Sequence, residues 1–193
     1  MKNFHCIGRG TDVTPLLLAI KRRPELWKED TYLRDYPQGP FGDTETIMLR
    51  FPVKGVYETE KELQDHLSKY DPHENVDYPA YKLLTEARPL VMNLMHYVGG
   101  ERLGRVMINK LRPGGRIFPH ADTASHAEYY SRFHIVLQSS RGVDFRTGSD
   151  ANEEHVWMAP GECWWFNNKL EHEVFNNSDD DRIHMIVDIR TSR

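Results

Sequence analysis

The chain is poor in cysteine: Cys6 and Cys163 are the only two in 193 residues, and no C-x-x-C occurs. Two thiols so far apart make no disulfide framework, so both are read as reduced, with Cys163 a small apolar filler. Long apolar runs are missing as well. Nothing approaches the roughly 18 residues of a membrane-spanning helix, and the opening MKNFHCIGRGTDV lacks the apolar stretch of a secretory signal. The expected compartment is therefore cytoplasmic, with no membrane partner. An excess of positive charge is absent too. A formal net charge of −4 gives no general attraction to phosphate backbones, so no nucleic-acid partner is expected. Rossmann and P-loop glycine patterns do not occur, nor do internal repeats or low-complexity linkers. What remains is an ordinary balance, 39% hydrophobic and 28% charged, over a length, 1–193, that fits one domain. One count is high: ten histidines.

The texture changes near Gly99-Gly100. Before it, helical signals dominate. Thr14-Pro15 reads as an N-cap with proline at the first helical position, and Pro24 as the opening of a short second helix. Residues 31–56 read as loop around one strand, TIMLRF. A charged helix is expected near 59–70 and a more apolar one over 80–97, stopped by the glycines. After Gly100 come short β-branched or aromatic runs: RVMINKL, RFHIVLQ, VDFRT, EHVWMA, ECWWFNN, HEVFNN and RIHMIVDIR. The turn formers RPGG, SSRG, TGSD, APG and NNSDDD separate them, a spacing typical of an all-β sandwich or barrel. The expected architecture is mainly β with flanking helices. It is a double-stranded β-helix (a cupin-like jelly roll) at 101–193, buttressed by a helical and loop half at 1–100.

The informative stretch is LRPGGRIFPHAD. A turn feeds a strand that ends near His120, and Asp122 follows in an H-x-D pattern. In extended backbone, residues i and i+2 face the same side, so an imidazole and a carboxylate can meet one ion. About fifty residues later, LEHEVFNN supplies His172. Two histidines and a carboxylate on one face of an octahedral metal form the facial triad of non-haem Fe(II) sites, with open positions opposite. H-x-D alone is weak, and a surface loop is its plain alternative. Arg182, ten residues after His172, opens the strand RIHMIVDI. A guanidinium facing the same hollow can bind a carboxylate bidentately, such as the free C5 carboxylate of 2-oxoglutarate. The alternative for Arg182 is a solvent-exposed ion pair with Asp179, Asp180 or Asp181. In RFHIVLQ, Arg132, His134 and Val136 share one face, and Phe133, Ile135 and Leu137 the other. That alternation suits either a polar cavity wall or a polar surface.

Taken together, LRPGGRIFPH, the R-x-H of SRFHIVLQ, GECWWFNN and LEHEVFNNSDDDRIHMIVDI resemble the aspartyl/asparaginyl β-hydroxylase family of Fe(II)/2-oxoglutarate oxygenases over roughly residues 105–190. The resemblance implies iron bound by His120 and His172, and 2-oxoglutarate bound by Arg182 with help from Arg132 and His134. It places Asn109 loosely as a small polar co-substrate contact. Two departures stand out. The best-known vertebrate members have glycine where this chain has Asp122, which is therefore assigned to iron. The interval from His120 to Arg132 is also longer, with the insertion in DTASHAEYYS.

The implied activity is hydroxylation of an amino acid or a peptide or protein side chain, using Fe(II), 2-oxoglutarate and O₂, with 2-oxoglutarate decarboxylated to succinate. Asp122 favours hydroxylation over halogenation. Two rivals stand beside it: a metal-binding cupin-like isomerase or sensor with no use for Arg182, and a β-sandwich interaction module in which H-x-D is accidental. No pattern names the substrate, though the small size leans towards a small molecule or short peptide, and the oligomeric state is open. Other candidates have plainer readings. His126, Tyr129 and Tyr130 lie in a loop that either faces substrate or is ordinary surface. Trp157, Trp164 and Trp165 read as packing, and Arg141 and Arg146 as a solvated hairpin. His155 and His184 read as satisfied structural histidines, and Asp188 as half of an internal ion pair.

Overall fold

A computed structural model describes the chain except residues 1, 37–38, 54–58, 70, 72, 123–124, 149–151 and 193. Its strands form two antiparallel sheets. The first hundred residues contribute β1 (Phe4–Gly8), β2 (Thr44–Phe51) and the two-residue β3 (Val76–Asp77). The rest are β4 (Gly100–Leu111), β5 (Arg116–His120), β6 (Ser131–Gln138), β7 (Val143–Thr147), β8 (Glu154–Val156), β9 (Cys163–Phe166), β10 (His172–Asn176) and β11 (Arg182–Thr191). The larger sheet runs β1-β9-β6-β11-β4-β2-β3, and the smaller β5-β10-β7-β8. The jelly-roll expectation holds, and each β run read from the second half is a strand.

The strand expected at TIMLRF is β2; the first half is less helical than expected because β1, and the two-residue β3, join it in the large sheet. Its helices are α1 (Thr14–Lys21), α2 (Leu26–Glu29), α3 (Tyr32–Asp35), α4 (Glu60–Leu67), α5 (Pro79–Leu83) and α6 (Ala87–Tyr97); α7 (Ser125–Tyr129) follows β5. Thr14 is not the cap of α1. That position falls on Val13, and the Asp12 carboxylate accepts the Thr14 N–H at 3.0 Å. The single apolar helix expected over 80–97 is α5 plus α6. On α6, Ala87, Leu90, Val91 and Leu94 recur at helical spacing and are buried. None of the described helices is long and apolar enough to cross a membrane.

Strand alternation decides what each face of the large sheet carries. On β11, Ile183, Met185, Val187 and Ile189 join Ile135, Leu137, Val106, Ile108 and the helix residues in one core. Between the sheets lies a second core that includes Val136, Phe145, Trp164, Phe166 and Val174. The other β11 positions, Arg182, His184, Ile186 and Asp188, therefore face inward. So do Arg132 and His134 on β6. Each of these polar side chains is buried or nearly so, at a position where an unanswered polar group is costly.

Candidate functional site

The turn Arg112–Gly115 delivers β5. The Gly115 N–H bonds to the Arg112 carbonyl at 2.9 Å, and Gly114 sits at φ 77°, which glycine alone adopts freely. Strand β5 then pairs antiparallel with β10, so that His120, the last residue of one, lies opposite His172, the first residue of the other. Their rings stand 4.2 Å apart, centroid to centroid. Both imidazoles are fixed in the same way. His120 Nδ1 bonds to the Phe118 carbonyl at 2.8 Å, and His172 Nδ1 to the Leu170 carbonyl at 2.9 Å. A carbonyl only accepts, so Nδ1 carries the proton and Nε2 keeps its lone pair, the tautomer a metal ligand needs. Burial pushes His120 below the ordinary imidazole range and His172 down to about 4. Both are neutral at pH 7.

Asp122 follows on the loop after β5. Its amide bonds to the Asn168 carbonyl at 3.0 Å. Its Oδ2 accepts from Asn168 Nδ2 at 2.8 Å and from an Arg132 guanidinium nitrogen at 2.6 Å. Burial favours the neutral acid, but Arg132 and the Asn168 bond outweigh it and hold the carboxyl below the usual carboxylate range. Its charge acts on both imidazoles. As the side chains stand, no three His, Cys, Asp or Glu among the described residues form a metal-ready cluster. The two imidazoles are paired and correctly presented, while the carboxylate beside them is committed to Arg132 and Asn168 through one oxygen.

Arg182 lies deeper. It is 1% exposed, and among the described residues no carboxylate reaches it. The ion pair with Asp179, Asp180 or Asp181 is not formed. One guanidinium nitrogen donates to His184 Nδ1 at 3.0 Å, the group lies 5.6 Å from the Phe145 ring, and Nε has no partner among the described residues. Burial lowers its pKa to about 9, so it stays charged at neutral pH.

His134 Nδ1 also meets His184 Nδ1, at 3.1 Å. Because arginine only donates, His184 Nδ1 is the acceptor of both bonds. The His184 proton is therefore on Nε2, and His134 keeps a lone pair on its own Nε2. Neither Nε2 has a partner among the described residues, and burial holds both rings well below the ordinary range. His184 is thus not the satisfied histidine it resembles in the sequence.

Phe145 and Phe166 pack between these groups. Phe166 stands 5.1 Å from each of His134 and His172, and 4.9 Å from Phe145. Asn109, 2% exposed, lies opposite His184 on β4 and accepts from Thr46 at 3.1 Å. It belongs to the same inward row.

Arg132 stands elsewhere than beside Arg182. It donates twice to Asp188, at 2.8 and 3.0 Å, and once to Asp122. Asn168 and Asp188 are among the residues of this region, with His184, Phe145 and Phe166, to which no site role attaches in the sequence; F-N-N and V-D carry the first two, but spacing alone does not aim them. The reading of His126, Tyr129 and Tyr130 as a loop is corrected: His126 and Tyr129 lie on α7, and His126 and Tyr130 are buried; Arg141, Arg146 and His155 take their plainer readings. Arg141 stacks on Trp157, Arg146 bonds Asp144, and His155 bonds Asp144 and Glu153. Within DTASHAEYYS, Thr123 and Ala124 lie outside the described residues.

The family model "Aspartyl/Asparaginyl beta-hydroxylase" matches residues 74–192. None of the curated protein sequences is significantly similar. Solved structures share the fold at low identity. A prolyl hydroxylase from Trichoplax adhaerens, in complex with a hypoxia-inducible-factor oxygen-degradation-domain peptide, is 11% identical over 97% of this chain and 83% of its own, with TM-score 0.63. A Pseudomonas putida prolyl-4-hydroxylase is 14% identical over 98% and 92%, with TM-score 0.52. A 2OG-Fe(II) oxygenase-family protein from Burkholderia pseudomallei is 16% identical with TM-score 0.54; the match covers 76% of this chain and 66% of that one, just under two thirds of its length.

Proposed function

The chain belongs to the aspartyl/asparaginyl β-hydroxylase family, and from that premise we propose that it is an Fe(II)/2-oxoglutarate-dependent hydroxylase acting on an amino acid or on a side chain of a peptide or protein. The observation that carries the reading is the pair formed by two features in one inter-sheet space. His120 and His172 present neutral Nε2 atoms side by side, and Arg182 is a fully buried cation with no anion among the described residues. An arginine in that position is unfavourable until an anion arrives, and a dicarboxylate chelating a metal through one end supplies it at the other. This favours the oxygenase over a metal-binding isomerase or sensor, which has no need of the arginine.

The residues fit the group. His120 and His172 would hold iron through Nε2, with Asp122 as third ligand. Bound iron with 2-oxoglutarate and O₂ supplies the oxidising chemistry, releasing CO₂ and succinate. The protein's share is position and exclusion of water. Arg182 binds the far carboxylate, with the His184 Nε2–H as a second donor, and the lone pair of His134 Nε2 accepts from whatever N–H or O–H is bound beside it. Phe145 and Phe166 keep the space apolar and strengthen each charge contact inside it.

The test is anaerobic addition of Fe(II) and 2-oxoglutarate. A weak visible charge-transfer band should appear and be lost in Arg182→Ala, and succinate should form on addition of substrate candidates. Iron bound stoichiometrically without the band would remove the oxygenase and leave the isomerase or sensor.

A further inference from the structure

Of the described residues, Arg132 and Arg182 are arginines that face inward between the sheets, and Arg132 is already answered by carboxylates. Arg132 on β6 stands directly across the ladder from Asp188 on β11. The pair is bidentate, Nε to Oδ1 at 2.8 Å and a terminal nitrogen to Oδ2 at 3.0 Å, and Asp188 is 2% exposed. The other terminal nitrogen reaches Asp122 Oδ2 at 2.6 Å. Behind Asp188, His126 of α7 donates Nε2–H to Oδ2 at 2.8 Å. All three guanidinium nitrogens are thus committed to two carboxylates, and the chain of bonds ends on the helix inside the insertion.

We infer that Arg132 is a positioning residue for Asp122 and not a contact of the co-substrate, with Asp188 and His126 as its anchors. The proposal rests on the iron-site reading above. Arg132 and Asn168 both bind Oδ2, while Oδ1 carries neither bond. A carboxylate gripped by one oxygen in a single rotamer offers the other to a metal with little further loss of freedom. Asp188 supplies the counter-charge that lets Arg132 lie inside the fold at all. The same network fixes the near end of α7, and so links the insertion to the third ligand.

The experiment is an anaerobic Co(II) titration of the full chain, followed by 2-oxoglutarate titration of the Co(II)-loaded protein, both read on the cobalt ligand-field bands. The set is wild type, Asp122→Ala, Arg132→Met, Asp188→Asn and the double variant Asp122→Ala/Arg132→Met. Loss of an outer partner of a metal ligand is expected to weaken metal binding about 10–100-fold. Arg132→Met should show that loss and an altered band shape, with 2-oxoglutarate affinity at saturating Co(II) within about threefold of wild type. In the Asp122→Ala background, Arg132→Met should cost nothing more.

Unchanged metal affinity with a large loss of 2-oxoglutarate affinity would make Arg132 a co-substrate contact and overturn the inference alone. An equal loss of metal affinity with and without Asp122 would overturn it too. Co(II) binding insensitive to Asp122→Ala would instead overturn the triad, and this inference with it. Should Arg132→Met fail to fold, Arg132→Lys, which keeps the charge but reaches one carboxylate, must show a partial loss of metal affinity; wild-type affinity there overturns the inference.

Discussion

Arg182 should harm the empty protein and serve the loaded one. Burial alone pulls its pKa down from the ordinary arginine range to about 9. At about 1.4 kcal/mol per unit, holding that charge inside the ligand-free fold costs on the order of 5 kcal/mol at most. The Phe145 contact returns about 1 kcal/mol of this. Methionine fills the aliphatic volume without the charge. Arg182→Met is therefore expected to stabilise the ligand-free protein by about 1–3 kcal/mol, an unusual sign for a substitution at a buried position. With Co(II) present, 2-oxoglutarate at about a hundred times its Kd should add about 2.7 kcal/mol to wild type and almost nothing to the variant. Urea unfolding at pH 7.5, with and without each ligand, reads all four values. A ligand-free variant less stable than wild type would mean that the guanidinium belongs to the fold. An equal 2-oxoglutarate increment in both proteins would mean that the carboxylate binds elsewhere.

Other outcomes follow from the same site. His120→Ala and His172→Ala should each abolish stoichiometric Fe(II) or Co(II) binding in equilibrium dialysis; metal retained by His172→Ala would exclude that imidazole as a ligand. In the metal-free protein, the folded pKa of His172 is about 4 against an ordinary value of about 6.5, so between the two the unfolded chain binds more protons. Stability should then rise with pH across that window, by about 3 kcal/mol from this residue. His120, His126, His134 and His184 are depressed in the same direction, by burial first. Chemical unfolding from pH 4.5 to 8 should show the rise and then a plateau, and a maximum below pH 5 would contradict it. Asn176 is fully buried and bonds the Leu111 and Asp180 carbonyls and the Ser178 amide and hydroxyl. Asn176→Leu strands those groups just before Arg182 and should cost about 2–4 kcal/mol in urea unfolding.

The fold was legible where burial on one face writes itself into neighbouring residues. RIHMIVDIR alternates along β11, and the alternation alone separates Ile183, Met185, Val187 and Ile189 from Arg182, His184 and Asp188. The edge strand β1 was not legible. Its apolar signal is short, and its partner β9 lies at the other end of the chain, so nothing local marks FHCIG as a strand. The histidine pair was legible for a similar reason: each imidazole ends or begins a strand run, and antiparallel pairing sets such ends opposite each other.

What spacing could not convey is which charge answers which. Arg132 and Arg182 look equivalent in the sequence, both at inward positions of buried strands. They differ because the ladder sets Asp188 across from Arg132, whereas Arg182 stands opposite Leu111. One arginine is thereby neutralised within the fold and turned to Asp122. The other is left charged in an apolar space with Phe145 and two histidines whose Nε2 atoms are unanswered. Among the described residues Asp188 and Asp122 both answer Arg132 and no carboxylate answers Arg182, and on this asymmetry the proposed co-substrate role of Arg182 rests. In the proposed reading, the strand register therefore separates the arginine that positions Asp122 from the arginine left for an anionic co-substrate.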